Sequence, residues 1–199
     1  MDNPARMAAY RTLTQQRRSE ARDFLTRALP GAGTSIVWEI GCGHGHFLTA
    51  YAKAHPEVHC VGIDISSDRI ERALRKRERV RLPNLHFFQA EAKLFLEEMP
   101  LGLSLSTIFI LFPDPWPKLR HRKHRILQPD FLLNAAKRTA PNGRLYFRTD
   151  DLTYFRDAMQ IIEAHPSWQP VAELWPFEFE TVFQQRAATH YSVVAATRK

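Results

Sequence analysis

The chain has 199 residues, of which 44% are apolar, and its mean hydropathy is −0.36, as expected for one globular domain with its own hydrophobic core. No apolar run is long enough to span a bilayer, the amino-terminal segment lacks the apolar stretch of a secretory signal, and two cysteines provide no disulfide framework, so we expect a protein of the reduced cytoplasm. The net charge of +7 favours a polyanionic partner, nucleic acid before an anionic membrane surface, although a basic protein without such a partner has the same composition.

Predicted strands and helices alternate along most of the chain, after a helical segment that covers residues 1–30. Strands are predicted at 35–40, 58–64, 85–90, 105–112 and 144–150, with further strand-like pieces at 171–175 and 191–197. Helices are predicted at 47–55, 67–80, 92–98, 129–139 and 152–164, and a turn at 141–143. Because the strands are apolar on both faces, the pattern predicts an α/β fold with a parallel sheet covered by helices on both sides.

Glycines alternate along the loop that follows the first predicted strand, at Gly41, Gly43 and Gly45. Glycine allows positive φ angles and lets a ligand approach the backbone closely. Asp64 ends the next predicted strand, which is where a carboxylate that binds ribose hydroxyls lies in doubly wound sheets. The loop departs from the dinucleotide fingerprint, because His46 occupies the position of its last glycine.

An acidic residue, Glu39, precedes the glycines by two positions. A carboxylate at this place would repel a pyrophosphate and suits a ligand with a cationic end. The loop therefore resembles the S-adenosylmethionine loop of class I methyltransferases. Glu91 directly follows the third predicted strand, where such enzymes often place a polar residue near the adenine; a solvated loop acid is the alternative.

The segment FPDPWPKLRHRKHR follows the fourth predicted strand and joins two unlike halves. Pro113 and Pro115 stiffen the chain around Asp114, as suits a preorganised catalytic loop, and Trp116 offers a plane on which a base can stack. The second half suits contact with a phosphate backbone, although such a run is often only a solvated face. Its cations are Lys118, Arg120, Arg122, Lys123 and Arg125.

A second set of cations lies on the helix predicted at 67–80. Arg69, Arg72, Lys76 and Arg79 are spaced so that they share one helix face. Two glutamates lie on the same helix, so this spacing fits a solvated face as well as a nucleic-acid contact.

The chain resembles the bacterial tRNA guanine-N7 methyltransferases over most of its length, through the motifs EIGCGHGHF, GIDIS, NLHFFQAEA, LFPDPWPKLRHRKHRIL, FRTDD and TVFQQR. The resemblance implies a Rossmann-like class I methyltransferase fold with a mostly parallel sheet, helices on both faces and an antiparallel last strand. No linker is long enough to divide the chain, so we expect a basic helical extension at 1–33 and one domain at 34–199, which the resemblance identifies as a methyltransferase domain. The implied reaction moves a methyl group from S-adenosylmethionine to N7 of a guanine in the tRNA variable loop, by a monomer or homodimer. We expect no metal, because His44 and His46 have no third ligand nearby, and no membrane association.

The resemblance also implies a role for each site residue. Residues expected at the methyl donor are Glu39, Gly41, Gly43, Gly45, Asp64, Glu91 and Asp114, and Asp114 is also the expected catalytic acid. Residues expected at the substrate are Lys118, Asp150, Thr181 and Gln184, and those expected to contact the RNA are Arg120, Arg122, Lys123 and Arg125. Asp150 has an ordinary alternative as the cap of the helix at 152–164.

Three departures from the family pattern bear on recognition. Asp64 replaces the usual glutamate and Glu91 the usual aspartate, so both positions keep a carboxylate. Gln184 replaces a glutamate, and its amide offers one acceptor oxygen where a carboxylate accepts from both N–H groups of a guanine edge.

Three other functions remain open from the sequence. An amino methyltransferase for adenine or cytosine would carry two prolines before the aromatic residue, whereas one proline separates Asp114 from Trp116. A non-catalytic RNA-binding relative would follow if Gln184 no longer reads the guanine. A nicotinamide dehydrogenase fits poorly because of Glu39 and the missing last glycine.

Overall fold

A twisted sheet with helices on both faces forms the framework of the computed structural model, which describes residues 4–29, 31, 33–179 and 189–198. The strands are β1 (Ser35–Ile40), β2 (His59–Asp64), β3 (Leu85–Gln89), β4 (Ser104–Leu111), β5 (Thr139–Thr149), β6 (Trp168–Val171) and β7 (Tyr191–Thr197). The helices are α1 (Pro4–Ala28), α2 (His46–Ala54), α3 (Ser67–Val80), α4 (Ala92–Glu98), α5 (Pro129–Arg138) and α6 (Leu152–Ala164), with a 3-10 helix at Leu119–His124.

The strand order across the sheet is β3-β2-β1-β4-β5-β7-β6. Strands β1 to β5 pair in parallel, whereas β7 runs antiparallel to both of its neighbours, β5 and β6. The predicted fold class is therefore confirmed, including the antiparallel last strand. The order reverses direction between β1 and β4, and a ligand crevice forms at such a switch point beyond the carboxyl ends of the strands.

The sheet buries apolar side chains on both faces, which explains why its strands lack alternating polarity. On one face Trp38 and Phe147 pack under α1, α4, α5 and α6. On the other face Phe87, Phe109 and Tyr146 pack under α2 and α3. Two such layers of helices fix the central strands and leave their carboxyl ends accessible.

The carboxyl-terminal half of α1 belongs to this packing. Leu25 and Leu29 are buried in the core, and the helix packs against α4 and β3. The buried Glu98 carboxylate accepts from Arg18 Nη1 at 2.7 Å and from Arg22 Nη2 at 2.6 Å. These two cations of the basic helix thus make internal contacts. None of the described helices is both long and apolar enough to cross a membrane.

Three local predictions were wrong or incomplete. The turn expected at 141–143 is an irregularity inside β5, where Asn142 has a φ of 65° and the register with β4 shifts. The strand expected at 171–175 is β6, which lies earlier because Trp168–Val171 pairs with β7. The 3-10 helix at Leu119–His124 was not predicted, since its sequence has no apolar periodicity.

Candidate active site

The carboxyl ends of five parallel strands bring the predicted acidic residues to one edge of the sheet. Glu39 lies in β1, Asp64 ends β2, and Glu91 follows β3 and precedes α4. Asp114 follows β4 and Asp150 follows β5. Residues separated by more than a hundred positions in sequence therefore share the crevice at which ligands bind in such sheets.

Glu39 is buried, with a relative exposure of 4%, and its two oxygens have different surroundings. The carboxylate accepts a hydrogen bond from the backbone N–H of Leu48 in the first turn of α2, whereas Oε2 has no hydrogen-bond partner among the described residues. Burial raises the pKa of Glu39 to about 8. The hydrogen bond from Leu48 lowers this pKa, and the charge of Asp64 raises it by a smaller amount. A buried oxygen without a partner is costly and suits a cationic hydrogen-bond donor.

The glycine loop is held against the end of β2 by its backbone. The N–H groups of Gly41 and Cys42 both donate to the carbonyl of Ile63, at 2.8 and 2.9 Å. Gly45 precedes α2 with a φ of 69°, and a Cβ at this position would lie 2.4 Å from the Phe87 ring. Glycine is therefore required at Gly45 both by the backbone conformation and by the close approach of the ring.

Asp64 is oriented by backbone donors on both of its oxygens. Oδ2 accepts from Gly43 N at 3.0 Å, and Oδ1 accepts from Ser66 N at 2.9 Å. Arg69 Nη1 lies 3.5 Å from Oδ2. Because each carboxylate oxygen can accept about two hydrogen bonds, acceptor capacity remains for a ligand hydroxyl.

The loop that carries Asp114 has a strained backbone. Phe112 and Trp116 have φ angles of 49° and 43°, although each precedes a proline and neither is a glycine. Such conformations cost on the order of 1–3 kcal/mol each and persist only where the surroundings hold them. The holding contacts are hydrogen bonds from Phe112 N to the Arg148 carbonyl at 2.7 Å and from Arg125 Nε to the Pro115 carbonyl at 2.6 Å.

Arg125 anchors this loop from inside the protein. Its relative exposure is 3%, Nη1 donates to Asp157 at 2.5 Å, and its guanidinium lies 4.4 Å from the centre of the Tyr154 ring. The predicted RNA contact by Arg125 is therefore wrong, because a guanidinium buried by these partners does not reach a phosphate. Arg122 shares Asp157 at 3.1 Å and is half-buried.

Two of the other predicted RNA contacts, Arg120 and Lys123, lie at the surface, as do Asp114 and the predicted substrate residue Lys118. Lys118, Arg120 and Lys123 expose their side chains on and next to the 3-10 helix. Trp116 is 37% exposed, and its ring lies near those of His121 and His124, with centroids 5.9 and 5.2 Å away. The arrangement places three cations and a partly open aromatic ring next to the strained loop.

The remaining predicted residues have separate outcomes. The cap of α6 is Asp151, which accepts from Tyr154 N at 2.6 Å, so the capping alternative for Asp150 is wrong, and Asp150 is exposed directly after β5. Thr181 and Gln184 lie outside the described residues. Burial raises the pKa of the Cys42 thiol well above its usual range, which argues against a nucleophilic role.

A family model described as "Putative methyltransferase" matches residues 33–197. Proteins named tRNA (guanine-N(7)-)-methyltransferase are similar in sequence. That of Rhodospirillum rubrum is 34% identical over 153 residues, which are 76% of this chain and 58% of that protein. That of Nitrosomonas europaea is 37% identical over 138 residues, 69% of this chain and 59% of that protein. That of Streptomyces coelicolor is 35% identical over 139 residues, 70% of this chain and 51% of that protein, so the chain spans little more than half the length of these relatives.

Solved structures of methyltransferases share the fold at low sequence identity. A precorrin-6y C5,15-methyltransferase from Geobacter metallireducens matches with a TM-score of 0.59 and 14% identity, covering 90% of this chain and 88% of that one. NSun6 from Pyrococcus horikoshii matches with a TM-score of 0.60 and 17% identity, covering 90% of this chain and 51% of that one. At these identities the similarity shows the fold alone.

Proposed function

Because this chain belongs to the methyltransferase family whose model matches residues 33–197, we propose that it transfers a methyl group from S-adenosylmethionine to N7 of a guanine in the tRNA variable loop. The names of the similar bacterial proteins support this substrate. The observation that carries the proposal is the exposed Asp114 on a strained, anchored loop that follows β4, the neighbour of the strand before the glycine loop, and that leads into a cationic 3-10 helix. The cytoplasm, where tRNA is found, is the proposed location.

The residues at the carboxyl edge of the sheet fit the methyl donor. Its amino acid end carries an ammonium group, and the buried Oε2 of Glu39 lacks a hydrogen-bond donor of that kind among the described residues. Asp64 retains acceptor capacity for ribose hydroxyls, and Glu91 lies at the start of α4, where the third strand ends. When bound, the donor supplies a methyl group on a positively charged sulfur.

The reaction at the acceptor base requires little proton transfer by the protein. Guanine N7 has a free lone pair and no proton, so no general base is needed at the attacking atom. The protein must hold N7 in line with the methyl group and stabilise the positive charge that the purine acquires. We assign the charge stabilisation to Asp114, whose loop is fixed before the substrate arrives, and contact with the substrate to Lys118, Asp150, Thr181 and Gln184.

The exposed cations beside the loop supply the RNA contacts of the proposal. Lys118, Arg120 and Lys123 can each reach a phosphate, and Trp116 offers part of its ring for stacking. Arg122 takes part more weakly, since Asp157 already neutralises much of its charge.

The test is product mapping. Purified protein, labelled methyl donor and unmodified bulk tRNA should yield N7-methylguanosine in the variable loop. Asp114→Asn should lower kcat by about a hundredfold or more, as loss of a preorganised charge does. Glu163→Gln, an exposed carboxylate on α6, is the matched control and should leave the rate unchanged. Methylation of another base or atom, or none at all, would refute the assignment.

A further inference from the structure

A groove of about 560 Å³ opens between the glycine loop and α3, and neither Glu39 nor Asp64 is among its lining residues. The groove is lined by four cationic residues, two histidines and one acidic residue, Glu78. The cations, all from α3, are Arg72, Arg75, Lys76 and Arg79. A concave wall with four cations on one helix face costs free energy through mutual repulsion unless an anion occupies the groove.

Lys76 is the clearest sign that the groove is built for a ligand. Its Nζ atom is buried, and no described residue accepts a hydrogen bond from it. Burial, and to a smaller extent Arg79, lower the pKa of Lys76. An ammonium group has three donors, and leaving them unsatisfied in a buried position is unfavourable. A phosphate oxygen would both accept from Nζ and neutralise its charge.

The opposite wall links the groove to the glycine loop. It is formed by His44, which lies between the glycines, and His46, which begins α2. The pKa of each histidine is lowered, first by burial and then by neighbouring cations that include Lys76. These shifts favour the neutral form of each imidazole, which can donate one ring N–H to a phosphate without adding charge.

The topology sets this groove and the 3-10 helix on either side of the donor loop. Helix α3 follows β2, the 3-10 helix follows β4, and β1 with its glycine loop lies between those two strands. Neighbouring strands are about 4.8 Å apart, so the ends of β2 and β4 are separated by about 10 Å. A polyanion that crosses the edge of the sheet can therefore touch both cationic surfaces.

We propose that the groove between the glycine loop and α3 binds backbone phosphates of the tRNA substrate, as a second contact surface across the donor site from the 3-10 helix. The identity of the RNA rests on the proposed function, whereas the phosphate chemistry rests on the groove itself. The cations at Arg72 and Lys76 thus orient the RNA from the side opposite to Lys118, Arg120 and Lys123.

The test compares the salt dependence of tRNA binding in two double variants that remove equal charge. Arg72→Gln with Lys76→Gln changes the groove, and Lys53→Gln with Lys137→Gln changes exposed lysines elsewhere. Each lost phosphate contact lowers the slope of log affinity against log salt by about 0.7–0.9. We expect the groove variant to lose between one and two contacts and about tenfold in affinity for unmodified bulk tRNA at low salt, with a melting temperature equal to or above that of the wild type. The control should keep the wild-type slope.

Three outcomes separate the possible failures. Equal slopes and affinities for the wild type and the groove variant would overturn the proposal, whether or not the protein methylates tRNA. Stabilisation of the wild type by inorganic phosphate, with no change in tRNA binding in the groove variant, would also overturn it, since the groove would then hold only a free anion. If the groove variant loses tRNA affinity but no N7-methylguanosine forms with the wild type, the proposed function fails and the phosphate groove stands.

Discussion

Glu39→Gln tests the electrostatic state of the donor site in the absence of any ligand. The glutamine keeps the shape of the side chain and an oxygen that can accept from Leu48 N–H, but it cannot ionise. The wild-type carboxyl has a pKa of about 8 in the folded protein, against an ordinary value of 4.5, because it is buried. Between these two pH values the folded protein holds a proton on Glu39 that the unfolded chain has released.

The sign of the effect follows from this difference in proton binding. The contribution of Glu39 to the free energy of unfolding is fully present below about pH 4.5 and falls as the pH rises through about 8. Since each pKa unit corresponds to about 1.4 kcal/mol, the full loss is roughly 3–5 kcal/mol. The glutamine variant has no such loss. The free energy of unfolding of the variant, relative to that of the wild type, should therefore rise steadily from pH 5 to pH 8.

Urea unfolding at pH 5, 6, 7 and 8 without the methyl donor measures this difference. Histidines and other titrating groups are common to both proteins and cancel in the comparison. Glu91→Gln, an exposed carboxylate at the same edge of the sheet, is the matched control and should show no change of this size. If the free-energy difference between Glu39→Gln and the wild type is the same at pH 5 and pH 8, the burial argument for Glu39 is refuted.

Two substitutions and one binding measurement test the glycine loop, the anchored segment and Glu39. Gly45→Ala should lower the free energy of unfolding by about 2–4 kcal/mol in urea, because a Cβ would meet Phe87 at 2.4 Å and φ is 69°; a loss below about 0.5 kcal/mol would contradict this. Asp157→Ala should cost about 2–3 kcal/mol in the same assay, since it leaves the buried Arg125 guanidinium without its carboxylate; a neutral result would contradict the anchoring role. Binding of S-adenosylmethionine at pH 7 should release close to one proton from Glu39, seen as a buffer-dependent enthalpy in calorimetry that Glu39→Gln abolishes.

The sequence predicts most strands of the sheet because the residue patterns that mark the ends of strands and helices are local. The strand SIVWEI and the helices at 92–98 and 152–164 have the predicted bounds, since apolar runs, caps and prolines mark their ends. The sequence predicts a turn in the irregular part of β5, because Pro141, Asn142 and Gly143 are residue types that favour turns. Pairing with β4 overrides that preference and turns the segment into a strand with a register shift.

The burial of Arg125 could not be predicted from a single sequence. Within a run of cations, the sequence does not distinguish a buried side chain from an exposed one. The partners that bury Arg125 are Tyr154 and Asp157, which lie about thirty positions away on α6. The signal for burial is therefore tertiary, and composition cannot reveal it. The same holds for the unpaired oxygen of Glu39, whose sequence position indicates a cationic ligand but whose burial fixes the raised pKa.

The 3-10 helix divides the cationic run by function. Side chains three positions apart align along such a helix, so Arg122 and Arg125 point to one side, where both contact Asp157. Arg120 and Lys123 share another side, which is exposed. One segment therefore carries two sets of cations: an inner set that holds the strained loop through the Pro115 carbonyl, and an outer set that is free to contact phosphate. Because the outer set lies within a single turn of the loop that carries Asp114, the proposed catalytic carboxylate, we expect RNA binding and methyl transfer to depend on the same short stretch of chain.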